Sequence, residues 1–260
     1  MKSFDRAMHI VTMIAFDEQK SDWSISEISD QLHLPLSTTH RLLMSLQKHK
    51  LIEQQEETKK YSLGKRWVEI GLRMLDSMEL KHAARPYMKK LAEESEESVF
   101  LSVRNHNHGI LIDRIDGPLN VKVIERLGER RGLHYGAPNK AIFAFTEHGD
   151  RERILRDCFE AEEDRERMRD QLDVIVARGY SISFGEITKG TASVAAPILS
   201  YDSSVLGALG VELVGEVIEE RRLDDLIKRV QEKAQAISAL FGGPSMLSEK
   251  RKQFPQYGKS

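Results

Sequence analysis

Apolar residues near the N-terminus recur at helical spacing. Phe4, Ala7, Met8, Ile10, Val11, Ile14 and Ala15 predict an amphipathic helix, with Ser3 available as its cap. A shorter second helix is expected within residues 24–32, capped by Ser26. Pro35 disfavours helix at Leu34 and marks a turn, after which a third helix runs over about residues 36–49. Two short apolar-alternating runs, 51–54 and 60–63, flank a polar stretch at 55–59, which predicts a β-hairpin with a charged tip. Gly64 closes that unit. Helical patterning returns over residues 66–95 with Trp67, Ile70, Leu72, Met74, Leu75, Met78 and Leu80, and Pro86 is expected to restart a helix through Met88 and Leu91. Strand-like runs follow at 99–103, 110–115, 121–125, 181–184, 193–199 and 206–214, with helices at 139–145, 164–178 and 219–241. Strands punctuated by helices without a strict βαβ rhythm predict an α+β fold with an antiparallel sheet. The expected division is a first domain over residues 1–75, a connecting helical segment over 76–94, a second domain over 95–243, and a polar, disordered tail over 244–260.

A length of 260 residues suits two domains, and 40% hydrophobic with 31% charged residues is ordinary globular composition. The 39 Lys and Arg against 41 Asp and Glu, a formal net charge of −2, exclude a polycationic coat protein but leave room for a local basic patch. The single cysteine, Cys158, excludes an internal disulfide and a multi-cysteine metal site, and it fits a reducing compartment. No apolar run is long enough for a signal peptide or a membrane span, so a soluble, cytoplasmic protein with no membrane partner is expected.

Charge becomes informative locally. Residues 31–52 hold Arg41, Lys48, Lys50, His33, His40 and His49, and no acidic residue. At 100° per residue, Leu36, Thr39, Leu42, Leu43 and Leu46 share one side of the third helix, and Ser37, Arg41, Ser45 and Lys48 share the other, with Thr38 and Met44 at the borders. One apolar face opposite a face of short donors and cations suits a helix that reads a DNA major groove. With the preceding helix, the turn at Pro35 and the following hairpin, the pattern is that of a winged helix-turn-helix. Candidate DNA contacts are therefore Ser37, Thr38, Arg41, Ser45 and Lys48, plus Lys59 and Lys60 at the wing, where Glu56 and Glu57 oppose them. Ser37 also reads as a helix cap, and Lys48 and Lys50 as a solvated helix end.

The stretch Leu34-Pro35-Leu36-Ser37-Thr38-Thr39-His40-Arg41-Leu42-Leu43, followed by Tyr61-Ser62-Leu63-Gly64, resembles the N-terminal domain of IclR-type bacterial transcriptional regulators. Leu133-His134-Tyr135-Gly136-Ala137-Pro138-Asn139-Lys140-Ala141 resembles the segment before that family's effector-pocket helix. Gly179, Ser183, Glu186, Ser193, Val194, Ala195 and Ile198 fall at the spacings of its C-terminal signature, while Leu199 and Ser200 depart from it. The resemblance covers about residues 3–242. It implies a DNA reader joined by a helix to a GAF-like effector-binding domain, acting as a homodimer or homotetramer on operator DNA near catabolic genes, as a repressor controlled by a small-molecule catabolite. Carried over position by position, the effector site would comprise Gly136, Ala137, Ser183, Glu186, Ser193, Gly210 and Glu212. The last two stand where small hydroxyl residues are frequent, which argues against the usual carboxylate-binding pocket.

Read on their own, Gly136-Ala137-Pro138-Asn139 form a turn opening a helix whose amides suit an anionic group. Ser183 and Ser193 could equally satisfy strand neighbours, and Glu186 could anchor its loop. A carboxylate at Glu212 on an apolar strand needs a partner, whether a bound amine, a set of hydroxyls or an internal arginine. A sugar-derived or aromatic catabolite is the expected effector. The competing reading is an enzyme. No G-x-S-x-G elbow or phosphate-binding loop occurs, and Cys158 has no histidine nearby in sequence. His106 and His108 form an H-x-H pair that reads as a hairpin tip before it reads as a metal site. No cofactor and no metal are expected. A further alternative is a helix-turn-helix used only for protein contact.

Overall fold

Ile10, Val11 and Ile14 form the buried stripe of the first helix, and the N-terminal unit is assembled on it. The computed structural model describes residues 3–17, 19–117, 126–214 and 219–244 and separates into two units, Met1–Met78 and Glu79–Ser260. The first contains α1 (Ser3–Phe16), α2 (Ile25–Gln31), α3 (Leu36–Lys48), the hairpin β1 (Ile52–Gln54) and β2 (Tyr61–Leu63), and α4 (Arg66–Asp76). Its core joins the α1 stripe to Trp23, Ile28, Leu42, Leu43, Leu46, Ile52 and Tyr61. Trp23 also exchanges backbone hydrogen bonds with Tyr61, at 2.9 and 2.7 Å, which ties the chain before α2 to the hairpin. A Cβ on Gly64 would lie 2.2 Å from the Lys50 carbonyl oxygen, so only glycine lets β2 leave over the end of α3.

Two caps differ from expectation. Ser24, not Ser26, caps α2: its hydroxyl accepts from Glu27 N–H at 3.3 Å, and Glu27 Oε2 accepts from Ser24 N–H at 2.7 Å. Only Ser24 has a glutamate three residues on, which the reciprocal box requires. Ser37 caps nothing, because α3 starts earlier, with Pro35 in the cap position and its carbonyl accepting from Thr38 and Thr39 N–H at 2.9 and 3.0 Å. Leu36, placed by periodicity on the core side, is 53% exposed in the first turn of the helix.

The second unit contains α5 (Glu79–Ser95), β3 (Ser98–Asn105), β4 (His108–Ile115), β5 (Arg130–Gly132), α6 (Ala137–Ala144), α7 (His148–Cys158), α8 (Glu162–Arg178), β6 (Ser181–Phe184), β7 (Thr191–Leu199), β8 (Val205–Val214) and α9 (Glu220–Leu240). All pairings of its six-stranded sheet, ordered β5-β4-β3-β8-β7-β6, are antiparallel. The architecture is α+β. Helices α5 and α9 pack together and against β3, β7 and β8, while α6 lies on β7 and β8 with α8 over it. The core under α6 includes Leu133, Ala137, Ala141, Ile142, Phe143, Ile154, Leu155, Leu172, Ile175, Ala195 and Ala208. The small residues on the strands let the helix approach closely.

The helical stretch after the hairpin is divided at Ser77 and Met78: α4 belongs to the first unit and α5 to the second. Pro86 does not restart a helix; it lies inside α5. The buried stripe Ala84, Met88, Leu91 and Ala92, with Arg85 donating to Asp113 Oδ1 at 2.6 Å, holds that helix onto the sheet across the missing N–H. Two elements were not foreseen. Strand β5 is Arg-Arg-Gly and carries no apolar signal, and α7 buries only Ile154 and Leu155. The strand expected at 121–125 and the tail over 245–260 lie outside the described residues.

Candidate nucleic-acid interface and ligand cavity

Helix α3 buries Thr39, Leu42, Leu43 and Leu46 against α1, α2 and β1. That fixes which side faces outward. Ser37, Arg41, Ser45 and Lys48 are exposed along it and Thr38 is half-buried; His40 and the 52%-exposed Met44 stand on the same side. The sequence reading had Met44 only as a border residue and His40 only as a surface or turn residue. At the hairpin, Lys59 is exposed with a left-handed φ of 57°. Lys60 is less free than its position suggests, since its ammonium donates to Asp22 at 3.2 Å across the domain surface. The tip itself is braced by Thr58 Oγ1 donating to Gln55 at 2.8 Å and Gln54 Nε2 donating to the Lys59 carbonyl at 2.9 Å.

In the second unit the loop into α6 meets the β6–β7 loop. Gly136, φ 76°, precedes the helix, and Pro138 sits in its first turn. Gly136 N–H donates to Glu186 Oε2 at 3.0 Å and Ala137 N–H to Ser183 Oγ at 3.2 Å. The Glu186 carboxylate also pairs with the Lys140 ammonium, whose side chain is only 4% exposed. Ser183 and Ser193, cross-strand partners on β6 and β7, have hydroxyls 2.8 Å apart. Ser193 is in turn paired in register with Glu212 on β8, whose side is buried at 5% exposure.

These groups surround two small cavities. One, about 10 Å³, is lined by Phe100, Pro138, Ser183, Gly185, Glu186, Ile187, Thr191, Ser193, Val211 and Glu212. The other, about 20 Å³, lies beside Gly109, Leu111, Glu129, Arg131, Tyr135 and Asn139 and shares Pro138 and Ile187 with the first. Each has room for about one water molecule. Of the seven effector-site candidates, Ser183, Glu186, Ser193 and Glu212 line the first cavity, and Gly136 and Ala137 hold Glu186 and Ser183 in place. Gly210 lines neither: a Cβ there would lie 2.8 Å from Pro138 Cγ, so it serves helix–sheet approach. Lys140 stood in the Leu133–Ala141 motif without a site role, and Ile187, whose Cδ1 lies 2.7 Å from where a Gly136 Cβ would be, was not singled out at all.

His134, just before the loop, is half-buried with rings of Tyr135 and Phe159 at 4.2 and 5.2 Å. Burial, then the charges of His108 and Lys140, push its imidazole below the usual 6.5, with Glu186 opposing. Cys158 ends α7 with its thiol pushed up by burial and by Asp157, the reverse of what a nucleophile needs. His106 occupies the β3–β4 turn with φ 54° and His108 starts β4 beside Arg130. Among the described residues no three His, Cys, Asp or Glu side chains converge as a metal site.

Comparison with known proteins bears on both regions. Residues 72–239 match the model of the bacterial transcriptional regulator IclR C-terminal domain, and residues 3–56 that of the IclR helix-turn-helix domain. The chain is 26% identical over 251 residues to the HTH-type transcriptional regulator XynR of Escherichia coli, covering 94% of this chain and 99% of that protein. It is 28% identical over 255 residues to the glycerol operon regulatory protein of Streptomyces coelicolor, covering 93% and 97%. A crystal structure of an IclR homologue from Microbacterium hydrocarbonoxydans, complexed with 4-hydroxybenzoate, superposes with a TM-score of 0.75 at 23% identity, over 92% of this chain and 98% of that one.

Proposed function

This chain belongs to the IclR family of bacterial transcriptional regulators, and from that premise we propose that it represses a catabolic operon and is controlled by a small metabolite. In this reading α3 enters the major groove of operator DNA, with Arg41 reading a base edge and Ser37, Thr38, Ser45 and Lys48 meeting phosphates or base edges. Lys59 touches the neighbouring backbone, and Lys60 adds to it only by giving up Asp22. The observation that carries the reading is the division of α3: four buried residues on one side, and a cationic, hydroxyl-rich face without carboxylates on the other. The effector enters between α6 and the sheet, among Ser183, Glu186, Ser193 and Glu212. The protein acts by binding, without a catalytic step, and works in the cytoplasm beside its operator. No described helix is long and apolar enough to cross a membrane.

A homodimer is part of the proposal. α4 buries none of its residues, yet Val68, Ile70, Leu72 and Met74 are 59, 47, 62 and 62% exposed. At 100° per residue these side chains, with Trp67 and Leu75, fill one broad arc opposite Arg66, Glu69, Arg73 and Asp76. Such an arc suits a second copy of the same helix.

Anisotropy titration of the DNA upstream of the protein's own gene tests the DNA reading. Arg41→Ala is expected to weaken binding roughly 5- to 150-fold, and affinity of the unmodified protein to fall steeply as salt rises. Equal affinity for random duplex at physiological salt would refute it.

A further inference from the structure

The outward face of α3 is not uniformly polar. At 100° per residue its exposed side chains Ser37, His40, Arg41, Ser45 and Lys48 surround one apolar group, Met44, which is 52% exposed. Met44 stands about 60° from Arg41, with His40 one turn before it and Lys48 one turn after. It takes no part in the core of the unit, which α3 enters through Leu42, Leu43 and Leu46. Leu36, also exposed, points about 140° away from Arg41 and lies off this face. On an ordinary surface a lone exposed methionine needs no partner. On a face of hydroxyls and cations it is the one side chain suited neither to a phosphate nor to a hydrogen-bonding base edge, since its thioether is at most a weak acceptor. The major groove offers one apolar feature, the C5-methyl group of thymine.

We propose that Met44 is a specificity-determining residue, packing on a thymine methyl group beside the base pair that Arg41 reads. Three residues of helix advance about 4.5 Å along the axis, close to the roughly 3.4 Å between successive base pairs. A helix lying along the groove therefore sets Met44 over the base pair next to the one at Arg41. The methionine side chain is unbranched, with three rotatable bonds, so it follows the methyl group without demanding one docking angle. Arg41 and Lys48, before and after it along the helix, hold the duplex against it by charge. Burial of one methyl group is worth roughly fourfold in affinity, which is a preference for thymine that the cationic face alone does not supply.

This inference rests on α3 being the DNA reader, and the experiment keeps the two apart. Duplexes are selected from a random pool on the full-length protein, and the selected duplex is remade with uracil, which lacks only the methyl group, in place of thymine. Anisotropy titration of the unmodified protein is expected to show roughly fourfold weaker binding for each methyl group lost from the contact, with one thymine position in each half-site carrying the effect. Met44→Ala should weaken binding to the thymine duplex by a similar factor and then bind the two duplexes within about 1.5-fold of each other. Met44→Gln, whose amide pairs with adenine N6 and N7, should change the selected base at that position from thymine to adenine. The uracil comparison needs no variant, so a misfolded substitution leaves it intact. Equal affinity of the unmodified protein for both duplexes overturns the inference and leaves α3 as the DNA reader. Thymine discrimination that survives in Met44→Ala assigns the effect to another group, or to the altered stiffness of uracil DNA, and overturns it as well. A pool that yields no preferred sequence removes the DNA reading, and this inference with it.

Discussion

At Gly210, β8 runs so close to α6 that a Cβ would lie 2.8 Å from Pro138 Cγ, in a layer where Ala195 and Ala208 are already as small as side chains allow. Gly210→Ser is expected to cost about 1–3 kcal/mol through overpacking, read as a lowered melting temperature. His134 makes a second residue-level prediction, with a sign fixed by its surroundings. Its folded-state value is depressed below 6.5 by burial and nearby cations, so the unfolded chain takes up a proton before the folded chain does. The stabilising contribution is complete above pH 6.5 and is lost as pH falls from there through the lower folded value. Melting temperature should therefore drop between pH 7 and pH 5.5, and His134→Phe should remove part of that drop. An unchanged slope in the variant would show that other groups, His108 among them, carry it.

Among the elements, α2 and α3 show how a helix start is specified. The Ser24–Glu27 box satisfies two backbone donors at α2, and Ser24→Ala is expected to cost about 1 kcal/mol of stability in chemical denaturation. Ser37 lies in the first turn of α3 with Pro35 as the cap, so Ser37→Ala should leave stability within about 0.5 kcal/mol and weaken operator binding instead. The pair distinguishes a structural serine from a contacting one in the same motif. In the sheet unit, α5 runs through Pro86 because four buried residues on one stripe outweigh one lost hydrogen bond. Propensity alone would have ended the helix there.

For the whole molecule, the exposed arc of α4 sets the expectation of a dimer. Leu72→Glu places a charge in the middle of that arc, and sedimentation velocity should then report a monomer. Operator affinity should fall with it, since two half-sites are no longer engaged together. A Leu72→Glu protein that stays dimeric would move the interface elsewhere.

The helices and hairpin of the first unit were legible because their signals are short-range: a 3.6-residue stripe in α1, a proline before α3, a polar tip between two alternating runs. The acid-free stretch at residues 31–52 likewise needs only counting, and the exposed face of α3 follows from periodicity once its apolar side is buried. The effector region was legible as a set of residues but not as an arrangement. Lys140 and Glu186 are 46 positions apart, as are Ala137 and Ser183, and no local pattern says that their segments meet. Lys60 and Asp22, 38 apart, are the same case at the wing. Strand β5 exists only because β4 supplies its hydrogen bonds. Local spacing is written in backbone geometry and side-chain periodicity, so the chain alone determined the helices and hairpin of the first unit and its basic face. Whether the α6 amides stay open to an anion depends on which distant side chain reaches them first, and only the folded packing decided that it is Glu186 and Ser183.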